Sequence, residues 1–187
     1  MIQSVVIETL VGTLSRAQGT SVANSAACVD RPGRSAQNEG MESNETVTRE
    51  FTIVIEAEPS RVWTALTSPE YTTEWWFANT VESTWQVGAP ITFVDELGLP
   101  NILGEVLVFE PPSRLSTTFL PVWSNEVQRS AATRVDWLLS AFDDIGDAQS
   151  TRVNLTHSGV EPGSVLDRET TPGWEYLLES LKKLLER

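Results

Sequence analysis

Between residues 161 and 187 the apolar side chains Trp174, Leu177, Leu178, Leu181, Leu184 and Leu185 recur every three or four positions, with Glu175, Glu179, Lys182, Lys183 and Glu186 on the opposite side. The pattern predicts one amphipathic terminal helix. Pro172 is read as a first-turn residue, where a missing N–H costs least, and Thr170 and Thr171 as capping hydroxyls. An earlier turn over residues 164–169 is expected to join it through a kink at Pro172.

Upstream the period changes to two. Phe51, Ile53, Ile55 and Ala57 alternate with Thr52, Val54 and Glu56, which predicts a strand over 48–57 with one buried face. Pro59 and Ser60 open a short helix reaching Leu66, with Val62, Trp63, Ala65 and Leu66 facing inward; Pro69 or Glu70 opens a second, ending at Trp76. Further strands are expected at 80–85, 90–95, 102–109, 114–120, 133–142 and 150–158, separated by Gly, Pro and Asp-rich turns. Short strands joined in sequence favour antiparallel pairing.

Dimensions then constrain the architecture. A helix with its side chains is about 10–12 Å across. Six antiparallel strands at a spacing of about 4.8 Å form a sheet roughly 29 Å wide. One helix cannot cover such a face, so the sheet must curl around it, the two short helices must cover one end, and a hollow is expected between sheet and terminal helix. In 133–142, Val135, Trp137, Leu139 and Ala141 share a face; in 150–158, Val153, Leu155 and His157 do. The only histidine of the chain therefore lies among aliphatic residues. Asp95, on the side of Ile91 and Phe93, is expected to face inward as well.

Composition narrows the function classes. The chain of 187 residues has a formal net charge of −13. Residues 1–40 hold three basic and three acidic groups, so the excess falls on the patterned part. Such a domain repels phosphate backbones, which argues against nucleic-acid and anionic-membrane partners. No run is long and apolar enough to span a bilayer. Residues 2–14 lack a basic start and are interrupted by Glu8, so they are not read as a signal segment. A lone Cys28 excludes an internal disulfide framework and fits a reducing, cytoplasmic setting. The stretch from Arg16 to Asn44 has almost no large apolar residue. Residues 1–46 are accordingly expected to be a disordered extension ahead of a domain at 47–187, with Met41 an alternative translation start.

The available chemistry is limited. With His157 and Cys28 as the only such residues, no His/Cys metal site is expected, and no phosphate loop, dinucleotide fingerprint or nucleophile elbow suggests a cofactor. Seven tryptophans are unusual for this length. Trp63, Trp137 and Trp174 sit in apolar patterns; Trp75, Trp76, Trp85 and Trp123 fall at helix ends or loops, where an aromatic body with a polar N–H suits a pocket rim.

The run Phe51–Ala57, then PSRVWTALTSPEYTTEWW, VGAPITF, LGEVLVFEPPSRLSTTF, STRVNLTHSG and GWEYLLESLKKLLE, resembles in order the activator of heat-shock protein 90 ATPase homologue-like family, of the START-like, helix-grip (SRPBCC) superfamily. The resemblance covers residue 47 to the C-terminus. It implies an α+β helix-grip fold, a curved antiparallel sheet of six to seven strands wrapped around a long C-terminal helix, with two short helices after the first strand. The family's eponymous co-chaperone carries an additional N-terminal domain for which residues 1–46 are too short. Single-domain relatives have varied roles, including hydrophobic-ligand binding and sequestration of a small-molecule toxin.

The sequence thus points to binding of a small hydrophobic or aromatic molecule between sheet and C-terminal helix, by Trp75, Trp76, Phe93, Asp95, Trp137, His157 and Trp174. Two alternatives stay open: a co-chaperone-like module that contacts a chaperone or other protein, and a cyclase or hydrolase acting through His157 and Asp95. The balance is against an enzyme, because nothing in the sequence places a nucleophile and a carboxylate beside His157.

Overall fold

The computed structural model describes residues 45–142 and 149–187. The expected disorder up to residue 44, Met41, Cys28 and the turn at 143–147 lie outside them. The elements are β1 (Val47–Ile55), α1 (Pro59–Thr67), α2 (Pro69–Trp75), β2 (Thr80–Ser83), β3 (Pro90–Val94), β4 (Pro100–Glu110), β5 (Arg114–Pro121), a 3-10 turn (Val127–Arg129), β6 (Thr133–Phe142), β7 (Ser150–Val160) and α3 (Val165–Leu185). The strands form one seven-stranded antiparallel sheet in the order β1-β7-β6-β5-β4-β3-β2. β1 and β2 follow one another in the chain yet occupy opposite edges. The two short helices make that crossing: α1 packs on β6, β7 and α3, and α2 on β2 and α3. Val62, Trp63, Ala65 and Leu66 are buried, as the alternation of α1 predicts. Among the described residues no helix is long and apolar enough to cross a membrane.

α3 departs from its sequence reading at its start. The helix begins at Val165 and Pro172 lies inside it. Ser164 is the N-cap, its Oγ accepting the Asp167 N–H at 3.1 Å. Thr170 and Thr171 cap nothing; Thr170 Oγ1 donates to the Leu166 carbonyl and Thr171 Oγ1 to the Asp167 carboxylate. Pro172 is tolerated because it sits on the exposed side, where water can reach the Arg168 carbonyl that loses its N–H partner.

Three polar ties seat α3 in the sheet. At its start, Arg49 of β1 donates from Nε and Nη2 to Asp167 at 2.9 and 2.8 Å. This guanidinium, helped by the Gly163 N–H, holds the Asp167 carboxyl well below the usual carboxylate range. At its end, Lys182 donates to the Val54 carbonyl at 2.7 Å and Glu186 accepts the Glu56 N–H at 2.8 Å. At its middle, Trp174 Nε1–H donates to His157 Nδ1 at 3.0 Å, His157 Nε2 meets Thr133 Oγ1 at 2.8 Å, and Thr133 Oγ1 donates to the Phe119 carbonyl at 3.1 Å. The chain of donors fixes the tautomer. Thr133 gives its one proton to Phe119 and so accepts from His157 Nε2–H, leaving Nδ1 free to accept from Trp174. One neutral imidazole thereby joins β5, β6, β7 and α3.

Two consequences are measurable. Burial pushes the His157 ring down to about 4, against a small opposing pull from the Asp167 charge. The unfolded chain binds this proton below about pH 6.5 while the folded chain resists it until about pH 4, so stability falls across that window by about 3 kcal/mol. With no second histidine in the chain, urea denaturation between pH 7 and 4.5 should show this loss, and His157→Gln should flatten it. The Asp167 contribution is separate, being present above the ordinary carboxylate range and lost only as the pH falls through and below it. In β4, a Cβ on Gly104 would run into the Thr118 backbone carbonyl of β5. Gly104→Ala should therefore destabilise by about 1–3 kcal/mol in the same assay.

Candidate functional site

α2 ends in an unusual turn. After Trp76, whose N–H still reaches the Thr72 carbonyl, Phe77 and Ala78 both have positive φ, at 48° and 56°. Two successive non-glycine residues in the left-handed region are costly and need outside support. Asn79 supplies it. Its buried side-chain amide donates to the Trp76 and Phe77 carbonyls, each at 3.1 Å, and its Oδ1 accepts from Asn101 Nδ2 at 2.8 Å. Thr72, also buried, binds the Val81 N–H and fixes α2 to β2. The turn consequently presents Trp76 inward and leaves Phe77 more than half exposed, stacked on Tyr176 of α3 with 5.0 Å between centroids.

Between this turn, the adjoining ends of β4 and β5, and the first half of α3 lies a hollow of about 340 Å³. Trp76, Ile102, Phe119, Trp174 and Leu177 form its apolar wall. On α3, Glu169, Thr170, Gly173, Trp174 and Leu177 face it at helical spacing. Trp123, from the β5–β6 connection, also lines it and donates Nε1–H to Glu169 Oε2 at 2.8 Å. The volume falls in the range of small-molecule pockets.

The hollow does not run on beneath α3. Behind Trp76 and Trp174 the interior is filled by rings: Trp76 stacks on Phe93 at 4.4 Å, and Trp75, Trp137 and Trp174 lie 5.0–6.2 Å from Trp76. A void of about 20 Å³ lies there, lined in part by Phe93 and Trp137. Of the residues read from the sequence as lining a cavity, Trp76 and Trp174 are on its wall. Trp75, Phe93 and Trp137 are packed behind it, with Trp75 Nε1–H bound to the Ala65 carbonyl. His157 is behind Trp174, fully buried, with both ring nitrogens engaged. Asp95 does not face inward. It closes the β3–β4 turn, Oδ1 accepting the Leu97 and Leu99 N–H groups at 2.9 Å each, since a short carboxylate at the head of a glycine-containing turn finds backbone donors two and four residues on.

This arrangement separates the two groups on which a hydrolase or cyclase would depend. His157 neither lines the hollow nor has a free nitrogen, and Asp95 Oδ1 is bound to the backbone of the β3–β4 turn. Among the described residues no group of three or more His, Cys, Asp or Glu side chains is placed to hold a metal ion. Trp85, a rim candidate on sequence, is instead stacked on Phe109 at 5.6 Å. Phe119, Asn79, Asn101, Glu169, Thr170 and Gly173 were not foreseen. For the last three a signal existed, because they share the helical face of Trp174 and Leu177.

No curated protein sequence matches the chain. Among solved structures, the Aha1 dimer from Colwellia psychrerythraea is 22% identical, with a TM-score of 0.60 over 75% of this chain and 96% of that one. A protein from Mesorhizobium loti is 26% identical at a TM-score of 0.60, over 76% of this chain and 98% of its own. An HSP90 activator from Plasmodium falciparum is 17% identical at 0.59, over 74% and 96%. The family described as Activator of Hsp90 ATPase homolog 1-like protein matches residues 56–186, from the end of β1 through the whole of α3. The match takes in well over half of the chain, and the sheet closes on α3 as that family's helix-grip fold requires: the chain belongs to the activator of Hsp90 ATPase homologue-like family.

Proposed function

We propose that the protein binds a small apolar or aromatic molecule in the hollow beside the first half of α3. The observation that carries this reading is the volume of about 340 Å³ walled by Trp76, Ile102, Phe119, Trp174 and Leu177, beside an interior packed with the rings of Trp75, Phe93 and Trp137. Apolar surface left facing a space of that size is stabilised by an apolar guest, which gains the contacts the wall lacks. Two of the polar side chains on the wall are tied to one another, Asn101 Nδ2 donating to Asn79 Oδ1 while the Asn79 amide donates to the α2–β2 turn. The reading involves neither catalysis nor a cofactor, and a cytoplasmic setting belongs to it.

A second reading is a co-chaperone-like contact with another protein. It is favoured by the family's description, by the similar HSP90 activator from Plasmodium falciparum, and by the exposed Phe77–Tyr176 stack. Phe77→Ser should weaken such a contact in a titration against the chaperone while leaving the fold intact.

Gly173 provides the test of the pocket. It lies within α3 with ordinary helical φ, and a Cβ built on it meets nothing within 4 Å. Gly173→Ala should stabilise the protein by about 0.5–1 kcal/mol, because alanine loses less freedom in a helix. Gly173→Leu should keep the fold and fill the hollow. Calorimetric titration with 2-naphthylmethanol should show saturable binding to the wild type and Gly173→Ala, and none to Gly173→Leu. Unchanged binding by a folded Gly173→Leu would sink the proposal.

A further inference from the structure

Charge and ring placement in the hollow say more about its guest, provided that the pocket reading above holds. Among the described residues, Glu169 is the only ionisable one on the wall, with no Lys, Arg or His beside it in the lining. Its Oε2 is held by Trp123 Nε1–H, and among the described residues Glu169 enters no ion pair. The hollow that Glu169 lines is lined also by the aromatic rings of Trp76, Phe77, Phe119, Trp123 and Trp174. His157 behind Trp174 supplies no positive charge, being buried and neutral, with both nitrogens engaged.

We infer that the hollow takes an apolar or aromatic molecule bearing a protonated amine, and rejects the corresponding carboxylate. An ammonium group beside Glu169 gains the carboxylate and the negative faces of the surrounding rings together. A carboxylate in the same place meets a like charge, with no Lys, Arg or His among the described lining residues to neutralise it. Trp123 orients the carboxylate from one oxygen and leaves Oε1 for the guest. The apolar body of the guest then lies against Ile102, Phe119 and Leu177.

Three probes of one shape separate the possibilities: 2-naphthylmethylamine, 2-naphthylmethanol and 2-naphthoate, titrated calorimetrically at pH 7. The amine should bind more tightly than the alcohol by about tenfold, and naphthoate more weakly than the alcohol by a similar factor. Glu169→Gln keeps an acceptor for Trp123 and should bring the amine to the level of the alcohol, leaving the alcohol within about twofold of its wild-type affinity. Glu175→Gln removes the same charge from an exposed position of α3 outside the wall, and should leave the amine preference intact. Equal binding of the three probes, a preference for naphthoate, or equal loss of the amine in both variants would overturn the inference while leaving the pocket standing. Absence of binding by all three would remove the pocket and this inference with it.

Discussion

A single helix lies against seven strands, and that disproportion governs everything else in the molecule. The sheet answers by curving, and α1 and α2 answer by crossing its concave side on the way from β1 at one edge to β2 at the other. What they leave uncovered is filled by large flat side chains. Trp75, Trp76, Phe93, Trp137 and Trp174 pack ring against ring, at tilted and edge-on angles with one stacked pair, so that the space under α3 is closed without a second long helix. Closure stops at Trp76 and Trp174. Beyond them the first half of α3 spans open space.

The polar ties explain why α3 tolerates that gap. A helix over a hollow lacks packing on part of its buried face, so its position must be fixed by other means. Arg49 holds its first turn, Lys182 and Glu186 its last, and the Trp174–His157–Thr133–Phe119 chain its centre. The histidine is therefore a structural connector. Its two nitrogens differ in role only because the threonine beyond it has already committed its proton, a detail that separates a buried imidazole of this kind from a base awaiting a substrate.

The elements were legible where the two sides of a segment differ in chemistry. β6 was read at its observed bounds because Val135, Trp137 and Leu139 alternate with Arg134, Asp136 and Ser140, and α1 because its inward residues follow helical spacing. The turn over 164–169 was expected, but as a piece set off from the main helix at Pro172, although Ser164 and Asp167 have the spacing of an N-terminal cap for one continuous helix. Asp95 was misplaced for a related reason: alternation carried β3 one residue too far, past the point where turn chemistry takes over. The pocket wall was only half visible. Trp76 and Trp174 announce themselves by size, but Asn79 meets Asn101 across the sheet, and Phe119 joins the wall through pairing that no local pattern encodes.

The walls of the hollow differ in how they are held. Phe119 and Trp174 belong to one hydrogen-bonded chain that spans three strands and a helix, so neither can shift without breaking a buried contact. Phe77 and Trp123 stand on connecting segments with their rings partly exposed to solvent, Phe77 stacked on Tyr176 and Trp123 held edge-on to Phe119 and by one exposed hydrogen bond. Any change in the size of the space is taken up on that second side, which makes the hollow a fixed template along one flank and an adjustable margin along the other.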